Sequence, residues 1–277
     1  MRAFHNYKFF TGPVRLRQML SRILFFLREY FFPCGCTLCD AVLFDMKETW
    51  YGLCQKCRKD LLNDISWMDG TSTNCAGPDK QENRCGLCGK PMVSGQGRCL
   101  SCRNGPERPY ERLITIFSYS GIYRQLFSAY KFGKNLAVGN FFAELIVKAL
   151  NVPHSEFPEN FTIVPVPPRP GKIKKTGWDQ VEYLTRLLEK NRRNSEMSRV
   201  YTVCRCLKRL PSKIQKNLDR SGRLQNLKGR IVMIKAPPPI AVIIDDVLTT
   251  GATMDVCASA LKAGGCQKVY GICLVYD

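Results

Sequence analysis

Apolar and polar positions change their rhythm twice along this chain. From Val14 to Phe32, apolar residues recur at helical spacing (Leu16, Met19 and Leu20, Ile23 and Leu24, Leu27) with arginines between them, which predicts an amphipathic helix. Between Pro33 and Arg103 the periodicity fades, core-forming residues become sparse, and cysteine is the residue that recurs. After Cys102 strands and helices alternate. Leu113 to Tyr119 reads as a strand, followed by an amphipathic helix through Tyr123, Leu126, Phe127 and Tyr130 and a second helix over Ala137 to Leu150. Phe161 to Val166 reads as a buried strand ending in prolines, and Val181 to Lys190 as a helix. Ile240 to Ile244 has the unbroken apolar character of a central parallel strand; a helix over Thr253 to Ala263 and a strand over Lys268 to Val275 close the chain. This order predicts an α/β fold, a doubly wound parallel sheet with helices on both faces, taking ligands at the carboxyl ends of its strands. The expected division is an N-terminal helical region (1–32), a cysteine-rich region (33–103) and an α/β domain (110–277).

Composition sharpens this picture in two places. With 277 residues and 45% hydrophobic content, a packed core is expected in one large domain or two smaller ones. The formal net charge of +19 favours an anionic partner: nucleic acid, a phosphorylated metabolite or a membrane surface. The apolar run Ile23 to Leu27 is bracketed by Arg22, Arg28 and Glu29 and lacks a small-residue cleavage site. It is also far short of the roughly 20 apolar residues that span a bilayer. No transmembrane segment and a reducing, cytoplasmic setting are therefore expected.

Fifteen cysteines accompany only two histidines, His5 and His154, neither near a cysteine pair. Mixed Cys/His metal sites and Ser-His-Asp catalysis both lose support. Eight cysteines form four C-x2-C knuckles: Cys36 and Cys39, Cys54 and Cys57, Cys85 and Cys88, Cys99 and Cys102. Fourteen residues separate the first two knuckles, ten the last two, and 27 the pairs. Two intervening residues let both sulfurs reach one tetrahedral ion from a tight turn, and a second knuckle completes a four-thiolate shell. Gly86 and Gly89 suit such a turn at the third knuckle. Closed thiolate shells favour zinc and leave no open position for water, so two structural Zn2+ ions are expected. Sequential pairing of the knuckles is the simplest arrangement; an interleaved one also fits the spacing, and Cys34 could substitute for Cys36. Cys75, Cys204, Cys206, Cys257, Cys266 and Cys273 read as small buried residues or bystanders.

The densest chemistry follows Ile244. Asp245 and Asp246 stand at a strand end, and Val247-Leu248-Thr249-Thr250-Gly251-Ala252-Thr253 leads directly into a helix. Backbone N–H groups, threonine hydroxyls and the helix N-terminus converge there on an anion site suited to phosphate. Gly251 permits close backbone approach, and the two aspartates stand where they could accept hydrogen bonds from sugar hydroxyls. A P-loop is excluded, because no Gly-Lys-Ser/Thr follows a glycine-rich run.

This segment resembles the phosphoribosyl-pyrophosphate (PRPP) loop of type I phosphoribosyltransferases, and further motifs resemble the ComF family. The knuckles occur in that family's order, including Leu53-Cys54-x2-Cys57 and Cys85-x2-Cys88-Gly89-x-Pro91. Tyr119-x-Gly121, Tyr130-Lys131-Phe132-Gly133, Val164-Pro165-Val166-Pro167 and the positions Gln215, Leu218, Arg223, Asn226 and Gly229 follow in order, so the likeness runs from about residue 33 to the C-terminus. One segment departs from the pattern. Thr176-Gly177-Trp178-Asp179-Gln180 stands where the family usually reads Arg-Gly-Phe-Asn-Gln, with Lys172, Lys174 and Lys175 as neighbouring cations. The resemblance implies a type I phosphoribosyltransferase-like sheet preceded by a small zinc-ribbon region. It further implies a phosphoribosyltransferase that binds PRPP with Mg2+ and passes ribose 5-phosphate to an acceptor. Asp245, Asp246, Lys131 and Arg223 would then carry the chemistry, with Lys172, Gln180, Gln215, Asn226 and the Val247 to Thr253 loop binding the ligand. Resemblance also implies the rival function, a non-catalytic factor handling single-stranded DNA with DNA-uptake proteins in natural transformation. A zinc-module scaffold that recruits a partner protein is the third reading.

Overall fold

The structure is a computed structural model and describes residues 33–65, 84–92, 97–151, 157–191, 200–211, 227 and 229–277. The expected amphipathic segment 14–32, His5, Cys75, His154, Gln215, Leu218, Arg223 and Asn226 lie outside the described residues.

Five parallel strands form the central sheet: β1 (Arg112–Ser118), β2 (Asn160–Pro165), β3 (Val200–Val203), β6 (Ile240–Leu248) and β7 (Lys268–Tyr276). Their spatial order is β1-β7-β6-β2-β3. A short antiparallel pair, β4 (Leu207–Arg209) and β5 (Ile231–Met233), stands apart. Because β6 is buried on both faces, its apolar run is continuous, and alternate residues serve different cores. Val242 and Ile244 join Ile272 and Leu274 in one cluster with the helices α4 (Gly121–Lys131), α5 (Leu136–Leu150) and α7 (Gln180–Asn191). Ala241 and Ile243 join Val269 and Cys273 in another, with α8 (Ala252–Ala263) and the β4-β5 pair. The expected α/β class with helices on both faces is the observed one.

The two cysteine regions divide between these cores. The first knuckles flank α1 (Met46–Tyr51) and lead into α2 (Gln55–Asp64), where Leu43, Leu53, Leu61 and Ile65 enter the α4-α5-α7 core. Arg58 ties α2 to α5 through Glu144 at 2.8 Å. The last knuckles, which end in α3 (Leu100–Arg103), enter the α8 core through Cys85, Leu87, Cys88 and Cys102. That module also lies along the edge strand β1: Leu113 N donates to Leu87 O at 2.8 Å and Arg84 Nη1 to Thr115 O at 2.7 Å. Gly89 is needed here, since a Cβ on it would stand 2.6 Å from the Leu113 carbonyl.

Two expectations are corrected. The strand read as Ile240 to Ile244 continues to Leu248, so Asp245 and Asp246 lie within the strand and its end falls two residues beyond them. β3, β4, β5 and the short helix α6 (Lys172–Thr176) were not foreseen.

Candidate functional site

After β2 the chain moves outward to β3, and after β6 it moves the opposite way to β7. The adjacent strands β2 and β6 are therefore a topological switch point, where loops diverge and open a crevice at the carboxyl ends. A cleft of about 860 Å³ lies there. Its walls are the Val166–Lys172 loop, the start of α7, Arg209 at the end of β4, and β6 with its following turn.

The floor carries the acidic pair. Asp245 and Asp246 are both buried, and Asp246 N donates to Asp245 Oδ1 at 2.8 Å. Asp246 Oδ2 receives Lys131 Nζ at 2.8 Å and Gln180 Nε2 at 2.5 Å. Gln180 is held in turn by Tyr130, whose hydroxyl donates to its carbonyl at 2.6 Å, and it accepts from Lys172. Trp178 packs edge-on against Tyr130 with centroids 5.3 Å apart. These contacts divide the acidic pair electrostatically. Burial, and then the charge of Asp246, push the Asp245 pKa well above the usual carboxylate value. Burial opposes the charge on Asp246 as well, but Lys131 and Gln180 outweigh it and hold that pKa low.

Above the pair runs the turn Thr249 to Thr253. Gly251 has φ of 81°, a left-handed conformation that an L side chain adopts only with strain, and it caps α8. Thr250 Oγ1 accepts from Ala252 N at 3.4 Å. The first turn of α8 offers backbone N–H groups without helical partners, an anion-attracting end. Val247 and Leu248 are strand residues whose side chains pack into the two cores, so of the predicted loop only Thr249 to Thr253 remains, a turn whose last two residues open α8.

The opposing wall is cationic. Lys172 pairs with Asp179 at 2.6 Å, while Arg169, Lys175 and Arg209 line the cleft with no carboxylate partner among the described residues. Burial and the neighbouring Arg169 charge lower the Arg209 pKa, and its Nε is buried without a hydrogen bond. Cations crowded in this way are relieved by an anion. Asp179, the departure in sequence, caps α7: its Oδ1 accepts from Val181 N and Glu182 N, each at 3.0 Å.

The structure thus brings together Asp245, Asp246, Lys131, Lys172, Gln180 and the Thr249–Thr253 turn. Arg169 and Arg209 were missed. Arg169 had a signal, its place just after the prolines that end a central strand; Arg209 had none, because β4 carries no pattern of its own.

The eight knuckle cysteines assemble in sequential pairs. Cys36, Cys39, Cys54 and Cys57 form one group and Cys85, Cys88, Cys99 and Cys102 the other, the sulfurs of each within 4.8 Å of one another. Cys34 is in neither group. Across the paired knuckles, Cys39 to Cys54 and Cys88 to Cys99 are both 3.7 Å. Four thiolates at the usual zinc distance around a tetrahedral ion stand about 3.8 Å apart. Backbone N–H groups also point at the sulfurs, Cys54 N at Cys36 and Cys99 N at Cys85, as thiolate ligands require. Each group can hold a metal ion. Of the other cysteines, Cys206, Cys257, Cys266 and Cys273 are buried, as expected. No helix among the described residues is long and apolar enough to cross a membrane.

No protein-family model matches the chain. It is similar to curated proteins along most of its length. DNA utilization protein YhgH of Escherichia coli (strain K12) is 26% identical over 80% of this chain and 96% of its own. The protein of the same name from Salmonella typhimurium shows the same identity and coverage. Competence protein F of Haemophilus influenzae is 23% identical over 73% of this chain and 88% of its own. These relatives support the resemblance to the ComF family that the motifs carry. The similarity spans 88–96% of the length of these relatives and agrees with the order of motifs along the chain.

Proposed function

We propose that the cleft between β2 and β6 binds PRPP or a related phosphoribosyl ligand and that the protein transfers ribose 5-phosphate from it to an acceptor. The observation that carries this reading is the convergence in one cleft of a buried aspartate pair, a turn opening onto a helix N-terminus, and a cationic wall in which Arg169, Lys175 and Arg209 have no carboxylate partner among the described residues. In this assignment the 5′-phosphate sits on Thr249 to Thr253 and the ribose hydroxyls on Asp245 and Asp246. The leaving pyrophosphate faces Arg169, Lys172, Lys175 and Arg209, which offset its charge as the bond to the anomeric carbon breaks. Lys131 keeps Asp246 ionised. Arg223, Gln215 and Asn226 enter by family resemblance alone. Bound Mg2+ would neutralise part of the diphosphate's charge, and Asp245 and Asp246 are the carboxylates that could help hold it beside the ligand's own oxygens. The cysteine groups are assigned to two structural Zn2+ ions.

Calorimetric titration with Mg2+–PRPP tests the reading. The expected result is saturable binding that is lost in an Asp245→Asn/Asp246→Asn double variant; a folded, metal-loaded wild type that binds nothing sinks it.

The names of the relatives favour a second role, in competence and DNA utilization, and the charge of +19 suits a phosphate backbone. If single-stranded DNA is a partner, its affinity falls steeply and log-linearly between about 50 and 200 mM salt. Filter binding measures that slope, and PRPP competition tells whether both ligands share the cleft.

A further inference from the structure

The second cysteine group does more than close its own loop. Its third knuckle is followed at once by Lys90, whose carbonyl is tied back to Cys85 N at 2.8 Å. Across the molecule, Lys90 Nζ donates to Thr249 O at 2.8 Å and to Asp277 O at 3.3 Å. Asp277 N donates to Leu248 O at 2.9 Å, which closes a circuit from knuckle to turn to the last residue of the sequence and back. Lys90 is not among the residues that line the cleft, so it holds the turn from behind. The peptide unit is planar and trans, so a carbonyl drawn toward Lys90 turns the N–H of Thr250 to the opposite side. Beyond the fourth knuckle, Arg108 makes a buried two-pronged pair with Asp255 in the first turn of α8, at 2.8 and 2.6 Å. Arg108 Nη1 would lie 3.2 Å from a Cβ at Gly251. The first cysteine group makes a different attachment, through Arg58 to Glu144 on α5.

We infer that Lys90 is a positioning residue: the metal-binding knuckle of Cys85 and Cys88 fixes it, and through it sets the conformation of the Thr249–Thr253 turn. The ligand-binding consequence rests on the phosphoribosyl reading above; the mechanical coupling does not. Two readouts on the full chain, loaded with zinc, keep these apart. Deuterium exchange over 247–254 reports the turn directly, and titration with ribose 5-phosphate reports binding.

In Lys90→Met, protection of the turn is expected to fall roughly tenfold while both equivalents of metal are retained. Affinity for ribose 5-phosphate should fall about fivefold, with most of both effects restored in Lys90→Arg. Cys99→Ser, which removes one equivalent of metal and leaves Lys90 in place, should loosen the same turn. Arg58→Met should not. Unchanged exchange in a metal-replete Lys90→Met protein, or in a Cys99→Ser protein that has lost one equivalent, overturns the coupling. A loosened turn in a protein whose wild type never binds ribose 5-phosphate supports the coupling and removes the phosphoribosyl reading instead.

Discussion

Asp245 and Asp246 are neighbours in sequence with opposite pH dependences. The folded pKa of Asp245 is raised by burial and by the Asp246 charge. Its contribution to stability is therefore full below the unfolded value, about 3.9, and is lost as pH rises through the folded value. Asp246 is buried too, but Lys131 and Gln180 leave its folded pKa lowered. Its contribution is present above about 3.9 and is lost as pH falls through the folded value. Above about pH 3.9 the burial of Asp245 thus opposes folding, because its carboxyl must either take up a proton or be buried charged. Asp245→Asn, which keeps an oxygen to accept from Asp246 N, should stabilise the chain at pH 7 by about 1–2 kcal/mol even as it weakens any sugar ligand. Lys131→Met should do the reverse and cost about 2 kcal/mol, because Asp246 loses its cation. Urea denaturation from pH 4 to 8 checks both, and the Asp245→Asn advantage should shrink as pH is lowered toward 4. A site that destabilises its own fold when empty is what preorganisation for a ligand looks like.

At the scale of the element, α7 explains how an aspartate can stand here where the ComF pattern that the chain resembles has asparagine. Either side chain caps a helix about equally well, and Asp179 does so while also holding Lys172. Asp179→Asn should therefore keep stability within about 1 kcal/mol, whereas Asp179→Ala should cost about 1–2 kcal/mol. Freed from its carboxylate, Lys172 in Asp179→Asn should bind pyrophosphate more tightly than in wild type, which calorimetry reads directly. The same element marks the reach of sequence reasoning. α7, α5 and α8 were legible because long runs with a clear period need no tertiary help. β3 and β4 were not, being four and three residues long, with half-exposed patterns that resemble loop. With β4 went Arg209. Asp245 and Asp246 were found because they are adjacent and beside a glycine turn, but which of the two is ionised depends on Lys131 and Gln180, far away in sequence.

At the scale of the whole molecule, the cysteine groups brace opposite sides of one sheet. The knuckle spacing announced metal sites, and sequential pairing is what the structure shows, yet nothing in the spacing said which core each group would enter. That is decided by Leu43, Leu53 and Leu61 in one and Leu87 in the other. Cys36→Ser and Cys85→Ser should each release one equivalent of metal, and a thiol-reactive mercurial should release two from wild type, as read by a colorimetric zinc dye. Structural zinc contributes about 10–16 kcal/mol in small modules, so the variants should melt well below wild type in differential scanning calorimetry.

The second group also lies along β1, which ends the sheet. A strand in that position, once bared, offers its unpaired N–H and C=O groups to any other chain. Loss of the metal proposed for that group would thus turn the folded chain into a template: Leu113 N and Thr115 O, now met by Leu87 and Arg84, would recruit strands from neighbouring copies.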